Sequence, residues 1–117
     1  MSTSVERLSD VAQAVSDIYA ERFGIERDAA WYLAKMTEEM GELQAAYLKH
    51  AGQWRAERGP ETRAAMEDEF ADALSMLLLF ARWQEIDVAA AVDRKWGKYL
   101  PGGAAPSGPA APHPRDI

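Results

Sequence analysis

The 117-residue chain contains no cysteine and no asparagine. The first absence excludes a disulfide scaffold and any thiolate metal site. Histidine is scarce, with only His50 and His113. The longest apolar run, Met76 to Ala81, has six residues, far short of the ~20 that span a bilayer. Met1 to Asp10 lacks the basic start and apolar stretch of a signal peptide. These absences predict a soluble cytoplasmic protein with no membrane partner. Positive charge is also sparse. Lysine occurs at positions 35, 49, 95 and 98 only, and the formal net charge is −6, which argues against nucleic-acid binding because that needs basic surface. A small polyanionic substrate is still permitted, since a bound divalent cation inverts the local sign of an acidic site.

What is abundant is alanine, with 22 residues, and alanine favours helix over sheet. Thr3 and Glu6 have the spacing of a capping box that opens a first helix. Val5, Leu8, Val11, Val15, Ile18 and Tyr19 follow as one apolar stripe to about Arg22, and Gly24 suits the C-terminal cap. Asp28 is the expected N-cap of a second helix running to Ala51. On it Tyr32, Leu33, Met36, Met40, Leu43 and Tyr47 share a sector, with Glu39 at its edge and Glu42 further round. Gly52 to Pro60 is a turn-rich break, and a third helix follows from Glu61 to Gln84. Asp87 opens a fourth helix to about Lys98, with Val88, Ala91, Val92 and Trp96 towards a core. The reading is all-α: one four-helix, bundle-like domain over residues 1–100 around a central antiparallel hairpin. Residues 101–117, rich in Pro, Gly and Ala, form a tail expected to be disordered. Met76 to Ala81 is apolar nearly all round the third helix, more than four helices of this size would cover, so a homodimer or homotetramer is expected.

Two acidic pairs stand out, Glu39 with Glu42 and Glu69 with Asp72. Each is spaced i, i+3, which puts both carboxylates on one helix face. With 19 acidic residues, chance gives roughly three such pairs, so either one is weak evidence alone. The chain has just these two, however, and both lie equally far from the centre of the break. Folding the hairpin therefore brings them level. Four carboxylates across one seam need a cation. Glu69 and Asp72 interrupt a stripe formed by Ala65, Met76 and Trp83, while Met66, Phe70 and Ala73 keep the neighbouring face apolar, so these two are expected to be partly buried. An all-carboxylate set suits magnesium or manganese. Neither histidine falls three residues after an acidic ligand, so a di-iron centre of the Glu-x-x-His type fails. Magnesium that keeps part of its hydration shell binds substrate phosphates, which points to metal-assisted attack of water on a phosphoanhydride. Trp54, in the break, is the best-placed tryptophan for stacking on a base; helical tryptophans are more often core.

Lys35-Met36-Thr37-Glu38-Glu39-Met40-Gly41-Glu42-Leu43, followed 26 residues beyond Glu42 by Glu69-Phe70-Ala71-Asp72, resembles the EExxE…ExxD signature of the MazG-like nucleotide pyrophosphohydrolases. The similarity covers roughly residues 5 to 100. It implies an all-α dimer or tetramer that converts a nucleoside triphosphate to the monophosphate and pyrophosphate with magnesium. By position, Glu39, Glu42, Glu69 and Asp72 would be the metal ligands, and Glu38 would orient or deprotonate the attacking water. Lys95 and Lys98 match the basic end of the family's last helix and would contact phosphates. Lys35 is a further candidate phosphate contact, or else a partner of Glu38 or Glu39 on its own helix. Members often carry an asparagine near that basic end. This chain has none, so the base and sugar stay open. Phosphoribosyl-ATP pyrophosphohydrolase shares a related acidic motif, although Gly41 directly before Glu42 matches the MazG branch better. The alternative outside enzymology is a helical oligomer whose acidic seam binds metal for structure alone.

Overall fold

The computed structural model describes residues 4–55 and 57–102. It contains four α-helices, α1 (Ser4–Phe23), α2 (Ala29–His50), α3 (Pro60–Trp83) and α4 (Val88–Lys95), and a 3-10 turn at Gly97–Tyr99. No strand occurs among the described residues. The all-α expectation holds, and α2 packs closely on α3 as the anticipated hairpin. The chain divides into two compact units between Glu85 and Ile86. Thr3, half of the expected first cap, and the tail from residue 103 onward lie outside the described residues. None of the helices among the described residues is long and apolar enough to cross a membrane.

The helix ends follow from local chemistry. Gly24 adopts φ +63°, the left-handed conformation that closes α1. The Ile25 N–H then reaches back to the Ala20 carbonyl at 2.9 Å, satisfying one of the last carbonyls of the helix. Asp28 caps α2 by accepting from the Trp31 N–H at 2.8 Å. At the start of α3, Thr62 Oγ1 accepts from the Gly59 N–H at 2.8 Å and donates to the Gly59 carbonyl at 2.8 Å. Pro60 loses nothing there, since the first helical N–H has no intrahelical partner anyway.

In the first unit, Ala12, Tyr32 and Leu79 form the core, with Trp31, Met76 and Phe80 packed against them. Arg27 ties α1 to α2: its guanidinium pairs with Asp17 at 2.9 Å, donates to Ser16 Oγ at 2.7 Å and reaches the Tyr32 hydroxyl at 3.3 Å. Gln13, and then Arg27, hold the Asp17 carboxyl below its usual pKa. Arg82 and Asp10 join α3 to α1 at 2.8 Å. The face of α1 turned inward is not its apolar stripe. Ser9 and Ala12 are buried, whereas Leu8, Val11, Val15, Ile18 and Tyr19 remain 47–62% exposed. Small side chains bring two helix axes close, and that approach has selected the face.

The second unit departs from the sequence reading. α4 ends at Lys95, three residues before the expected Lys98, and the chain tightens into the 3-10 turn at Gly97, where glycine is a poor helix former. None of Val88, Ala91, Val92 and Trp96 is buried, against expectation, and Val92 and Trp96 are about half exposed. An eight-residue helix is too short to bury a face without a partner element.

Glu85 follows the C-cap of α3 at φ +55°, a left-handed conformation that a non-glycine residue adopts at a cost. Glu85→Gly is expected to stabilise the protein by about 1 kcal/mol, seen as a higher thermal midpoint. An unchanged midpoint would mean that a contact of the Glu85 side chain offsets the strain.

Candidate metal centre

Glu39 and Glu42 project from α2, Glu69 and Asp72 from α3, and one carboxylate oxygen from each lies within 4.8 Å of the other three. Residues three apart in a helix are neighbours on its surface. The close α2–α3 packing then sets the two pairs face to face, as their symmetry about the break predicts. Four oxygens around one magnesium, each at about 2.1 Å, stand at most about 4.2 Å apart. Side-chain adjustments of a few tenths of an ångström therefore suffice to enclose an ion.

Depth differs among the four. Glu39 is only 8% exposed, Glu69 is half-buried, and Glu42 and Asp72 are exposed. The Oε2 atoms of Glu39 and Glu69 are buried with no hydrogen-bond partner. An anionic oxygen in that condition is costly, and native structures rarely tolerate it without a ligand. The electrostatics agree. Burial foremost, and then Glu42 and Asp72, push the Glu39 carboxyl up to about 7. Burial and Glu42 raise Glu69, and burial with Glu42 and Asp68 raises Asp72, while Lys35 partly counters the shifts on Glu39 and Asp72. Each of these carboxyls would release its proton more readily beside a cation. The donor set, its spacing and the two orphaned oxygens all fit a hard divalent ion.

The other residues expected at the site are distributed as follows. Glu38 lies on α2 beside Glu39 but outside the group of four; its side chain is half exposed and accepts from Lys35 Nζ at 3.1 Å. Lys35 Nζ also stands 4.0 Å from Glu39 Oε1 and 5.9 Å from the Trp31 ring centroid, so in this structure it takes the helix-pairing role. Lys95 and Lys98 belong to the second unit, at the end of α4 and in the 3-10 turn, where Lys98 Nζ lies 5.1 Å from the Tyr99 ring centroid. Trp54 is half exposed, but its ring carries two cations, Lys49 Nζ at 5.4 Å and the Arg55 guanidinium at 5.8 Å from its centroid.

Sequence reasoning passed over three neighbours. A pocket of about 280 Å3 has Glu42 and Glu69 in its wall together with Lys49 and Thr62, and His50 Nδ1 lies 3.0 Å from Thr62 Oγ1. The spacing contained the signal: Lys49 follows Glu42 by seven residues and Thr62 precedes Glu69 by seven, two helical turns in each case. No family model, curated protein or solved structure matches the chain.

Proposed function

We propose that the protein is a magnesium-dependent nucleotide pyrophosphohydrolase, which cleaves a nucleoside triphosphate to the monophosphate and pyrophosphate. The observation that carries this reading is the buried, unpartnered Glu39 Oε2 inside a group of four converging carboxylates. The resemblance of Glu38 to Leu43 and of Glu69 to Asp72 to the MazG-like signature supports the reaction class. Glu39, Glu42, Glu69 and Asp72 would hold magnesium, with manganese the alternative. Bound there, the ion would neutralise phosphate oxygens and acidify a coordinated water. Glu38 accepts the proton as the water oxygen bonds to phosphorus and the anhydride bond breaks, releasing pyrophosphate. Lys35 Nζ donates to the Glu38 carboxylate at 3.1 Å and so orients it. Lys95, Lys98 and Trp54 are the further substrate contacts in this reading, and the compartment is the cytoplasm.

The working form is a homodimer or homotetramer. Tyr32, Leu78 and Leu79 are the only large apolar side chains among the described residues that are buried. Within Met76 to Ala81, the stretch expected to need a partner, Leu78, Leu79 and Ala81 are already covered. Leu77 of that stretch is 47% exposed, and further uncovered surface lies on the α1 stripe and along a groove of about 730 Å3 between α2 and α3 lined by Met40, Leu43, Tyr47, Met66 and Phe70. Both expose large apolar side chains of the kind that a partner chain covers. The groove is bordered by Arg63 and Glu67.

The test is incubation with canonical and modified nucleoside triphosphates plus magnesium, with the products identified. Monophosphate and pyrophosphate are expected, and Glu69→Gln or Asp72→Asn should lower turnover at least about a hundredfold. Turnover that survives either substitution would remove the site assignment. Free phosphate as the product would exclude the reaction, and metal binding with no turnover of any nucleotide would favour a structural ion.

A further inference from the structure

The exposed stripe of α1 has a spacing of its own. Leu8, Val11, Val15 and Ile18 follow one another at intervals of three, four and three residues, the alternation of a helix seam that packs on a second helix. Their side chains are 47–62% exposed, so the seam is open to a partner. Charge borders it. Asp10 and Asp17 are engaged by Arg82 and Arg27. Arg7 and Glu21 are exposed and make no ion pair among the described residues. Two heptads separate them, so both stand on the same edge of the seam, one near each end of the helix.

These charges decide both the partner and its direction. A second α1 laid antiparallel across the seam, on a two-fold axis level with Gln13, sets Leu8 against Ile18 of the second copy and Val11 against Val15 of that copy. The edge that bears Arg7 then meets the same edge of the second copy, and Arg7 comes beside the opposite Glu21 at both ends of the seam. A parallel pairing would set Arg22 against Arg22 in line with the seam and leave Arg7 and Glu21 without complements. Antiparallel pairing sets Arg22 against Ser4, and the opposed helix dipoles favour the same direction. We propose that α1 of a second copy, antiparallel and in this register, covers the stripe. The inference rests on the oligomeric form proposed above and not on its chemistry. The seam is about 15 Å long, with far fewer residues than the ~20 that each side of a stable interface contributes. It therefore acts beside the α2–α3 groove, as the second of two isologous contacts in an assembly of four copies.

The chain contains no cysteine, so one introduced thiol reports the geometry. Ala14 is exposed and lies on the Arg7 edge beside the two-fold axis. Ala14→Cys in the full-length protein is expected to give a covalent dimer with a short bismaleimide. Val15→Glu should halve the mass of the assembly measured by light scattering. Arg7→Glu should weaken association about tenfold, because it turns both symmetric ion pairs repulsive, and Glu21→Arg should do the same. The double variant Arg7→Glu with Glu21→Arg exchanges the charges and should restore wild-type association. Failure of Ala14→Cys to cross-link would overturn the pairing, as would a double variant no tighter than either single one. Val15→Glu at the wild-type mass would also overturn it, and would leave the oligomer to the groove alone. Wild-type protein that scatters as a monomer at every concentration would remove both contacts. A cross-linked protein that hydrolyses no nucleotide would sink the chemistry proposed above and leave the pairing standing.

Discussion

Glu39→Gln is expected to raise the melting temperature of the metal-free protein and, under the proposed function, to lower magnesium-dependent turnover about a thousandfold. The two effects have one origin. Glu39 is the most buried of the four carboxylates, its Oε2 has no partner, and its carboxyl is pushed up to about 7. A carboxyl whose pKa is higher in the folded than in the unfolded chain binds more protons when folded. Its contribution to stability is complete below the unfolded value of 4.5 and is lost as pH rises through about 7. The metal-free protein is therefore expected to melt higher at pH 5 than at pH 8. Magnesium reverses the trend, because it binds the ionised form and competes with the proton. Glutamine in this position carries no charge at any pH, so the variant should show a flatter profile. At pH 8 it should gain about 1–3 kcal/mol, or on the order of 5 °C in melting temperature. Turnover should fall about a thousandfold, since a neutral amide is a poor ligand for a hard cation and several kcal/mol of charge stabilisation disappear. Thermal scans from pH 5 to 8, with and without magnesium, test both arms. A metal-free Glu39→Gln protein that melts below wild type at pH 8 would show that the carboxylate already has what it needs.

Phe70→Glu is expected to dissociate the proposed oligomer. Phe70 is 58% exposed and lies in the wall of the α2–α3 groove, beside Met66 and across from Met40 and Tyr47. A copy seated there would bury the ring, and an aromatic anchor at the centre of an interface commonly carries 2 kcal/mol or more of the binding energy. A glutamate at this position must lose its hydration without a partner, so the association constant should drop by more than about a thousandfold. Light scattering should then report the monomer mass, and the wild type two or four times that mass. The variant should also lose the rise of melting temperature with protein concentration that linkage to assembly gives the wild type. Wild-type protein that scatters as a monomer at all concentrations removes the oligomer altogether. Because Phe70 immediately follows Glu69, helix geometry turns its side chain about 100° away from the carboxylate. Retained magnesium affinity in the variant would show that the groove and the metal centre act separately.

The hairpin and the acid group were legible in the sequence because both rest on short-range rules. Asp28, Gly59, Pro60 and Asp87 mark helix starts through backbone chemistry that needs no tertiary context. The symmetry of the two acidic pairs about the break then follows from a constant rise per residue. Which faces are buried was less legible. Weighting by hydrophobicity put Tyr32, Leu33, Met40 and Tyr47 on the inner side of α2; Tyr32 is buried as expected, yet Glu39 and Ala46 are buried with it and the other three are exposed. The inward residues recur every seventh position, and one is an alanine and another a carboxylate, so a search for large apolar side chains misses them. The same weighting favoured the apolar stripe of α1 over Ser9 and Ala12. It also ranked Glu69 and Asp72 above Glu39, the reverse of their burial. On α1 the large apolar residues mark surface left uncovered by this chain and the small ones mark where helices meet, whereas Tyr32 of α2 and Leu78 and Leu79 of α3 are large and buried. A single sequence gives both the same periodicity.

Ala46 follows Glu42 by four residues and Ala73 follows Glu69 by four, and both are buried, at 8% and 7% exposure. Ala46 lies one turn beyond Glu42 and Ala73 directly follows Asp72, so a small buried side chain stands beside each acidic pair. The side chains at a helix–helix contact govern how near two helix axes lie, and that spacing would govern the diameter of the space the four carboxylates enclose. A bulkier residue at either position would widen that space and tilt it towards larger ions, although neither alanine supplies a ligand. If the four carboxylates hold an ion as proposed, its selection by radius would be a property of the helix spacing, held in residues with no polar side-chain atom.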